Sequence, residues 1–195
     1  PHPHWSVGLH ELSFLDPLDL QPMRAIAFYP SSDREHTSKL EGYTVEAGED
    51  TRVAIGRFPM LMLSHGNTGT PLALHDLATS LARKGFVVVA VIHPGDNSKD
   101  HSRLGTLSNL YGRPLQVSAA INAARADALL GPYLDDGKVG VIGYSAGGET
   151  ALILMLRAGD PFVTPEGGLY WFGPEALRVS PGSPRLFLGE DKTGA

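Results

Sequence analysis

The chain predicts an α/β protein built on a doubly wound, mostly parallel sheet with an antiparallel N-terminal edge. Three observations carry that expectation. From residue 58 onward, short apolar runs alternate with helical patterns, the signature of β-α-β units. Two of the runs, Phe58-Pro59-Met60-Leu61-Met62-Leu63 and Phe86-Val87-Val88-Val89-Ala90-Val91-Ile92, are almost uninterrupted, as expected of strands covered on both faces. The first two strand-like segments, His10 to Leu15 and Met23 to Tyr29, are joined by the turn-prone Asp16-Pro17-Leu18-Asp19 with no helix between them, so they should pair antiparallel.

Taken in order, Pro30 ends the second strand, and residues 31–57 read as a long surface connection with a short strand around Tyr43 to Val45. After the strand at 58–63, a helix is expected from Pro71 or Leu72 to Arg83, with Leu74, Leu77, Ala78 and Leu81 on one face. Lys84-Gly85 closes it as a glycine C-cap. Residues 95–114 read as a polar loop, long enough to be functional, with a helical turn near Leu107 to Leu110. A second helix is expected over Leu115 to Leu130, stopped by Gly131-Pro132. A third runs from the small residues after Ser145 to about Arg157, and two further strands are expected at 168–173 and 185–189. The whole of residues 1–195 is expected to be one domain.

Composition narrows the function classes. Hydrophobic residues at 42% and charged residues at 19% describe an ordinary globular chain. A net charge of −5, with no lysine/arginine cluster, argues against a nucleic-acid partner. No cysteine is present, which removes thiolate chemistry and disulfides. No apolar run approaches the roughly eighteen residues of a membrane span. Nothing suggests a metal, nucleotide or flavin, so no cofactor is expected: Gly66-Asn67-Thr68-Gly69 precedes a helix but lacks the lysine of a phosphate loop. The compartment is left open, with export favoured over the cytoplasm.

The stretch that organises these elements is Gly143-Tyr144-Ser145-Ala146-Gly147, which fits G-x-S-x-G between a β-branched strand and an apolar helix. In that setting the serine is a nucleophile raised above the end of the sheet. Ligands of such sheets sit outside the carboxyl ends of the strands. Three segments end there with polar residues: Ser64-His65-Gly66-Asn67, His93-Pro94-Gly95-Asp96 and Tyr144-Ser145-Ala146. His65, His93 and Tyr144 are therefore candidates to line a site.

With Gly56-Arg57-Phe58-Pro59, Leu63 to Asn67, Leu81 to Val88, His93 to Asn97 and Gly143 to Gly148 in view, the chain resembles the α/β-hydrolase superfamily. It looks most like the dienelactone-hydrolase-like branch that includes platelet-activating-factor acetylhydrolases, over Leu9 to Asp191. The resemblance implies a serine, acid, histidine triad. It also implies an oxyanion hole made by the backbone N–H groups of Ala146 and Asn67. For the acid it points first to Asp191, then to Glu190, and by the acetylhydrolase-like pattern to the neighbourhood of Glu175. The family histidine lies beyond a further helix and a last strand. The chain stops at Ala195, so a C-terminally incomplete domain is expected. His93 is no substitute, because its strand should lie two positions from the serine strand, roughly 10 Å at about 4.8 Å per strand. A general base needs about 2.6–3.2 Å. His65 is expected to support the oxyanion loop.

Two functions follow. The first is a serine hydrolase that cleaves small carboxylic esters through an acyl-enzyme on Ser145. The second is a catalytically silent hydrolase-fold module for binding or assembly, with an exposed sheet edge that would pair with a second copy.

Overall fold

The computed structural model describes residues 4–156, 169–172, 177–179 and 186–188. In chain order the strands are β1 (Ser6–Leu15), β2 (Pro22–Ser31), β3 (Ser38–Leu40), β4 (Tyr43–Val45), β5 (Gly48–Glu49), β6 (Phe58–Ser64), β7 (Val87–Val91), β8 (Leu134–Tyr144), β9 (Leu169–Phe172), β10 (Leu177–Val179) and β11 (Leu186–Leu188). The helices are α1 (His75–Arg83), α2 (Leu107–Ala126) and α3 (Ala146–Leu156).

The two apolar runs find each other at the centre. β6 pairs in parallel with β7 on one side and β8 on the other, and β8 pairs in parallel with β9. The sheet order is β11-β10-β9-β8-β6-β7-β2-β1-β5. Side chains on a strand alternate between faces, so each central strand feeds two cores. Met60, Met62, Val87, Val89, Val139 and Val141 pack with Val117, Ile121 and Ala124 of α2 and Leu154 of α3. Leu61, Leu63, Val88, Ala90 and Ile142 pack with Ala78 and Ala82 of α1 on the opposite face. Helices on both faces make the sheet doubly wound, as the strand and helix alternation predicts. Strand β7 lies two positions from β8, with β6 between them.

Several elements depart from expectation. β1 and β2 pair antiparallel over ten residues, but β5 adds in parallel outside β1, so β1 is not the edge. The 31–57 connection carries the strand expected at Tyr43–Val45, β4, and adds β3 as its antiparallel partner. α1 is preceded by a 3₁₀ turn at Pro71–Leu74, capped by Thr70, whose hydroxyl accepts from Leu72 N–H. β10 lies antiparallel between β9 and β11, a strand the sequence does not announce.

The largest correction concerns α2. It begins at Leu107, inside the stretch read as a loop, because the Thr106 hydroxyl accepts from Asn109 N–H and caps it there. Pro114 sits inside the helix. It removes one backbone donor and does not end the helix. At the other end Asp127 stops α2, and its carboxylate accepts from Leu129 and Leu130 N–H.

Close to that end, His10 of β1 is held between two carboxylates. Its Nδ1 lies 2.5 Å from Asp50 Oδ1 and its Nε2 3.1 Å from Asp127 Oδ2. Burial alone would lower its pKa, but the hydrogen bonds to Asp50 and Asp127 outweigh burial and raise it above the usual 6.5. A raised folded pKa means that the cluster stabilises the fold fully below about 6.5 and loses that contribution as pH rises through the folded value. His10→Gln is therefore expected to lower the urea midpoint at pH 6, by about 1 kcal/mol of stability. It should have a smaller effect at pH 9.

Candidate active site

The serine turn is fixed by contacts that leave no room for side chains. β8 ends at Tyr144, α3 begins at Ala146, and Ser145 between them has φ 54°, in the left-handed region that a serine rarely occupies. A Cβ on Gly143 would stand 2.1 Å from the Gly147 carbonyl oxygen, and a Cβ on Gly147 1.9 Å from the Ser64 carbonyl oxygen. Both glycines are thus required by close backbone approach. Gly148 N–H closes the turn on the Ser145 carbonyl at 2.8 Å.

The loop after β6 packs directly against this turn. A Cβ on Gly66 would lie 3.2 Å from Ser145 Cβ and 3.4 Å from the Tyr144 carbonyl oxygen. Asn67 and Ala146 line one cavity of about 280 Å³. Its other walls come from Leu107, Leu110 and Arg113 of α2 and Glu149 of α3. Ser145 and Tyr144 are exposed beside it. Ala146 N–H lies at the amino end of α3, where the helix dipole favours negative charge.

Beneath the turn lies a buried polar network that fixes its own protonation. The Gln116 amide donates to Asp16 Oδ2 at 3.1 Å, so its oxygen accepts from His93 Nδ1–H at 2.8 Å. His93 Nε2 is then unprotonated and accepts from the Ser64 hydroxyl at 2.8 Å. His65 Nε2 accepts from His93 N–H at 3.3 Å, which places its proton on Nδ1, donated to the Gly66 carbonyl at 2.8 Å. The two rings meet edge to face with centroids 5.0 Å apart. Burial, joined by the nearby Arg113 charge, holds His93 well below its usual pKa. Burial likewise brings His65 down to about 4, against the pull of its Gly66 hydrogen bond. Both are neutral near neutral pH.

Neither imidazole has a nitrogen left for Ser145. His65 and His93 are buried beneath the turn, and neither borders the cavity that Asn67 and Ala146 line. Tyr144 is exposed at the turn, with its ring 3.5 Å from where a Gly66 Cβ would stand. Asp191, Glu190 and Glu175 lie outside the described residues. Among the described residues no group of three or more His, Cys, Asp or Glu side chains could hold a metal. No described helix is long and apolar enough to cross a membrane.

The buried neutral histidines set the acid side of stability. Below about 6.5 the unfolded chain binds protons that the native His65 and His93 refuse, so stability falls from there toward about 4. His93→Ala leaves the Ser64 and Gln116 groups unpaired in a dry interior. A loss of about 3 kcal/mol is expected in urea unfolding at pH 8.

Sequence reasoning named Asp96 only as the end of a polar segment and missed Arg113 and Asn109; the three surround the Asn67 loop. A signal for Arg113 was present. It lies four residues before Val117 and so falls on the inward stripe of α2, where a charge is out of place.

No family model matches the sequence, and no curated protein sequence matches it. Solved structures do. A ferulic acid esterase from Streptomyces cinnamoneus superposes with a TM-score of 0.69 at 20% identity, over 80% of this chain and 57% of that one. A dienelactone hydrolase-like promiscuous phosphotriesterase from metagenomic libraries gives 0.54 at 20% identity, over 84% and 61%. A bacterial heroin esterase gives 0.55 at 24% identity, over 82% and 42%. The chain thus spans less than two thirds of the length of these structures. With the parallel β9-β8-β6-β7 centre, helices on both faces and a serine on the β8–α3 turn, the chain has the α/β-hydrolase fold that these structures share.

Proposed function

We propose that the protein is a serine hydrolase that cleaves small carboxylic esters. The observation that carries this reading is Ser145 at φ 54° on the β8–α3 turn, with Asn67 and Ala146 lining one cavity beside it. Acyl transfer needs an exposed serine with backbone donors near the reacting carbonyl, and we assign those donors to the Asn67 and Ala146 N–H groups. The esterase and hydrolase names of the structural neighbours agree with it.

In this reading Ser145 Oγ attacks the ester carbonyl carbon. The new C–O bond sends the carbonyl electron pair onto oxygen, where Asn67 and Ala146 N–H groups hold it. Collapse expels the alcohol, which leaves with the proton taken from Ser145, and water then cleaves the acyl-enzyme by the same route. The base is a histidine other than His65 and His93, and Asp191 is proposed to orient it. Specificity would lie with the cavity walls from α2.

The test is hydrolysis of p-nitrophenyl acetate and butyrate by the intact protein and by Ser145→Ala. Turnover that disappears in the variant supports the reading. Absence of turnover in the wild type would favour the binding or assembly module instead.

A further inference from the structure

The Asn67 loop is held by a buried ion pair that the mechanism above does not use. Arg113 is 2% exposed and Asp96 fully buried. The Arg113 Nη2 donates to the His65 carbonyl. Asp96 Oδ1 accepts from Thr68 N–H at 2.8 Å, and its Oδ2 accepts from the Asn109 amide at 2.7 Å. Arg113 Nη1 stands 3.8 Å from that same Oδ2. The two charges therefore grip the loop on either side of Gly66-Asn67. Arg113 and Asn109 are one helical turn apart, so a single face of α2 supplies the arginine and orients the aspartate.

The grip is specific to this loop. Thr68 has φ 53°, a conformation that β-branched residues avoid, and Asp96 holds it there. The His65 carbonyl that Arg113 holds lies 3.0 Å from where a Gly147 Cβ would stand, directly against the serine turn. Asn67 N–H itself has no protein acceptor among the described residues. Stability does not account for the arginine. Its Nε and Nη1 have no hydrogen-bond partner, and burial lowers its pKa to about 10, which still leaves it charged at neutral pH. An apolar side chain of the same volume would cost less to bury. What the guanidinium supplies is direction.

We infer that Arg113, paired with Asp96, is a positioning residue that fixes the Asn67 amide for oxyanion binding. The inference rests on the reading of Ser145 as nucleophile. An oxyanion-hole donor contributes about 10²–10³ in rate, and misplacement by about 1 Å can lose much of that.

The test measures ester turnover by the intact protein and its variants, with active sites counted by fluorophosphonate titration. Arg113→Met is expected to lower kcat per titrated site about 10- to 100-fold, with KM unchanged within about twofold. It should weaken a trifluoromethyl ketone, which binds as the tetrahedral oxyanion, by the same factor. Arg113→Lys should recover part of both, and Asp96→Asn should show the same split. Those two variants carry the test if Arg113→Met does not fold. Val117→Ala, on the same helix, serves as a control that loses stability and keeps kcat per site. Arginine and aspartate variants that behave like this control would overturn the inference and leave Ser145 as nucleophile intact. A wild type that neither turns over ester nor takes the probe at Ser145 would end both.

Discussion

Gly147→Ala is expected to destabilise the protein by about 3 kcal/mol or more and to remove Ser145 reactivity with it. The added Cβ would stand 1.9 Å from the Ser64 carbonyl oxygen and 3.0 Å from that of His65. Both are backbone atoms, at the end of a central strand and the start of the loop, and neither can rotate away. Relief requires α3 to move off β6, which opens the core built by Ala151 and Leu154 and separates Ala146 from the Asn67 loop. Gly137→Ala is the matched control. The nearest atom to its Cβ would be an aspartate side-chain oxygen at 3.7 Å, and a change within about 0.5 kcal/mol is expected. Urea midpoints of the two variants check this. A Gly147→Ala protein as stable as wild type would mean that the serine turn does not rest against the Ser64 carbonyl.

Ser145→Gly should separate function from stability in one substitution. A side chain at φ 54° costs roughly 1 kcal/mol that glycine does not incur, partly offset by the greater freedom of glycine in the unfolded chain. The variant is expected to be as stable as wild type or more so, by up to about 1 kcal/mol. Its ester turnover should fall by about 10⁴-fold or more, because the other hydroxyls of the cavity wall are engaged, Thr106 donating to the Arg103 carbonyl and Thr150 to the Ala146 carbonyl. Ser64 is no replacement: it is fully buried and donates to His93. Retained turnover would contradict the nucleophile assignment. A clear loss of stability would show instead that the left-handed turn is not strained.

Much of the fold is legible because apolar runs speak for themselves. Val87 to Val91 and Phe58 to Leu63 are too hydrophobic to leave either face in water, so the parallel centre and its helices follow from their positions. The serine turn is legible for a different reason. Its two glycines are demanded by backbone contact, and the strand and helix on either side confirm the motif. The start of α2 is hidden by Pro114, which reads as a helix boundary although it sits inside one. β10 is three residues long and announces no alternation of its own.

The site is less legible than the fold. Arg113 and Asn109 fall in the stretch read as a polar loop, and burial of a charge depends on partners that only the tertiary structure brings together. His93 shows the same limit in reverse. Its position two strands from Ser145 follows from sequence, while its part in a buried chain through Gln116 to Asp16 does not.

The most direct measurement is the position of a covalent label. The intact protein is treated with a fluorophosphonate probe near neutral pH, digested, and the modified peptide read by mass spectrometry. One adduct on Ser145, absent when the protein is unfolded in urea before treatment, is the expected result. No adduct, or an adduct on another serine with Ser145 unmodified, would contradict the assignment of Ser145 as the nucleophile.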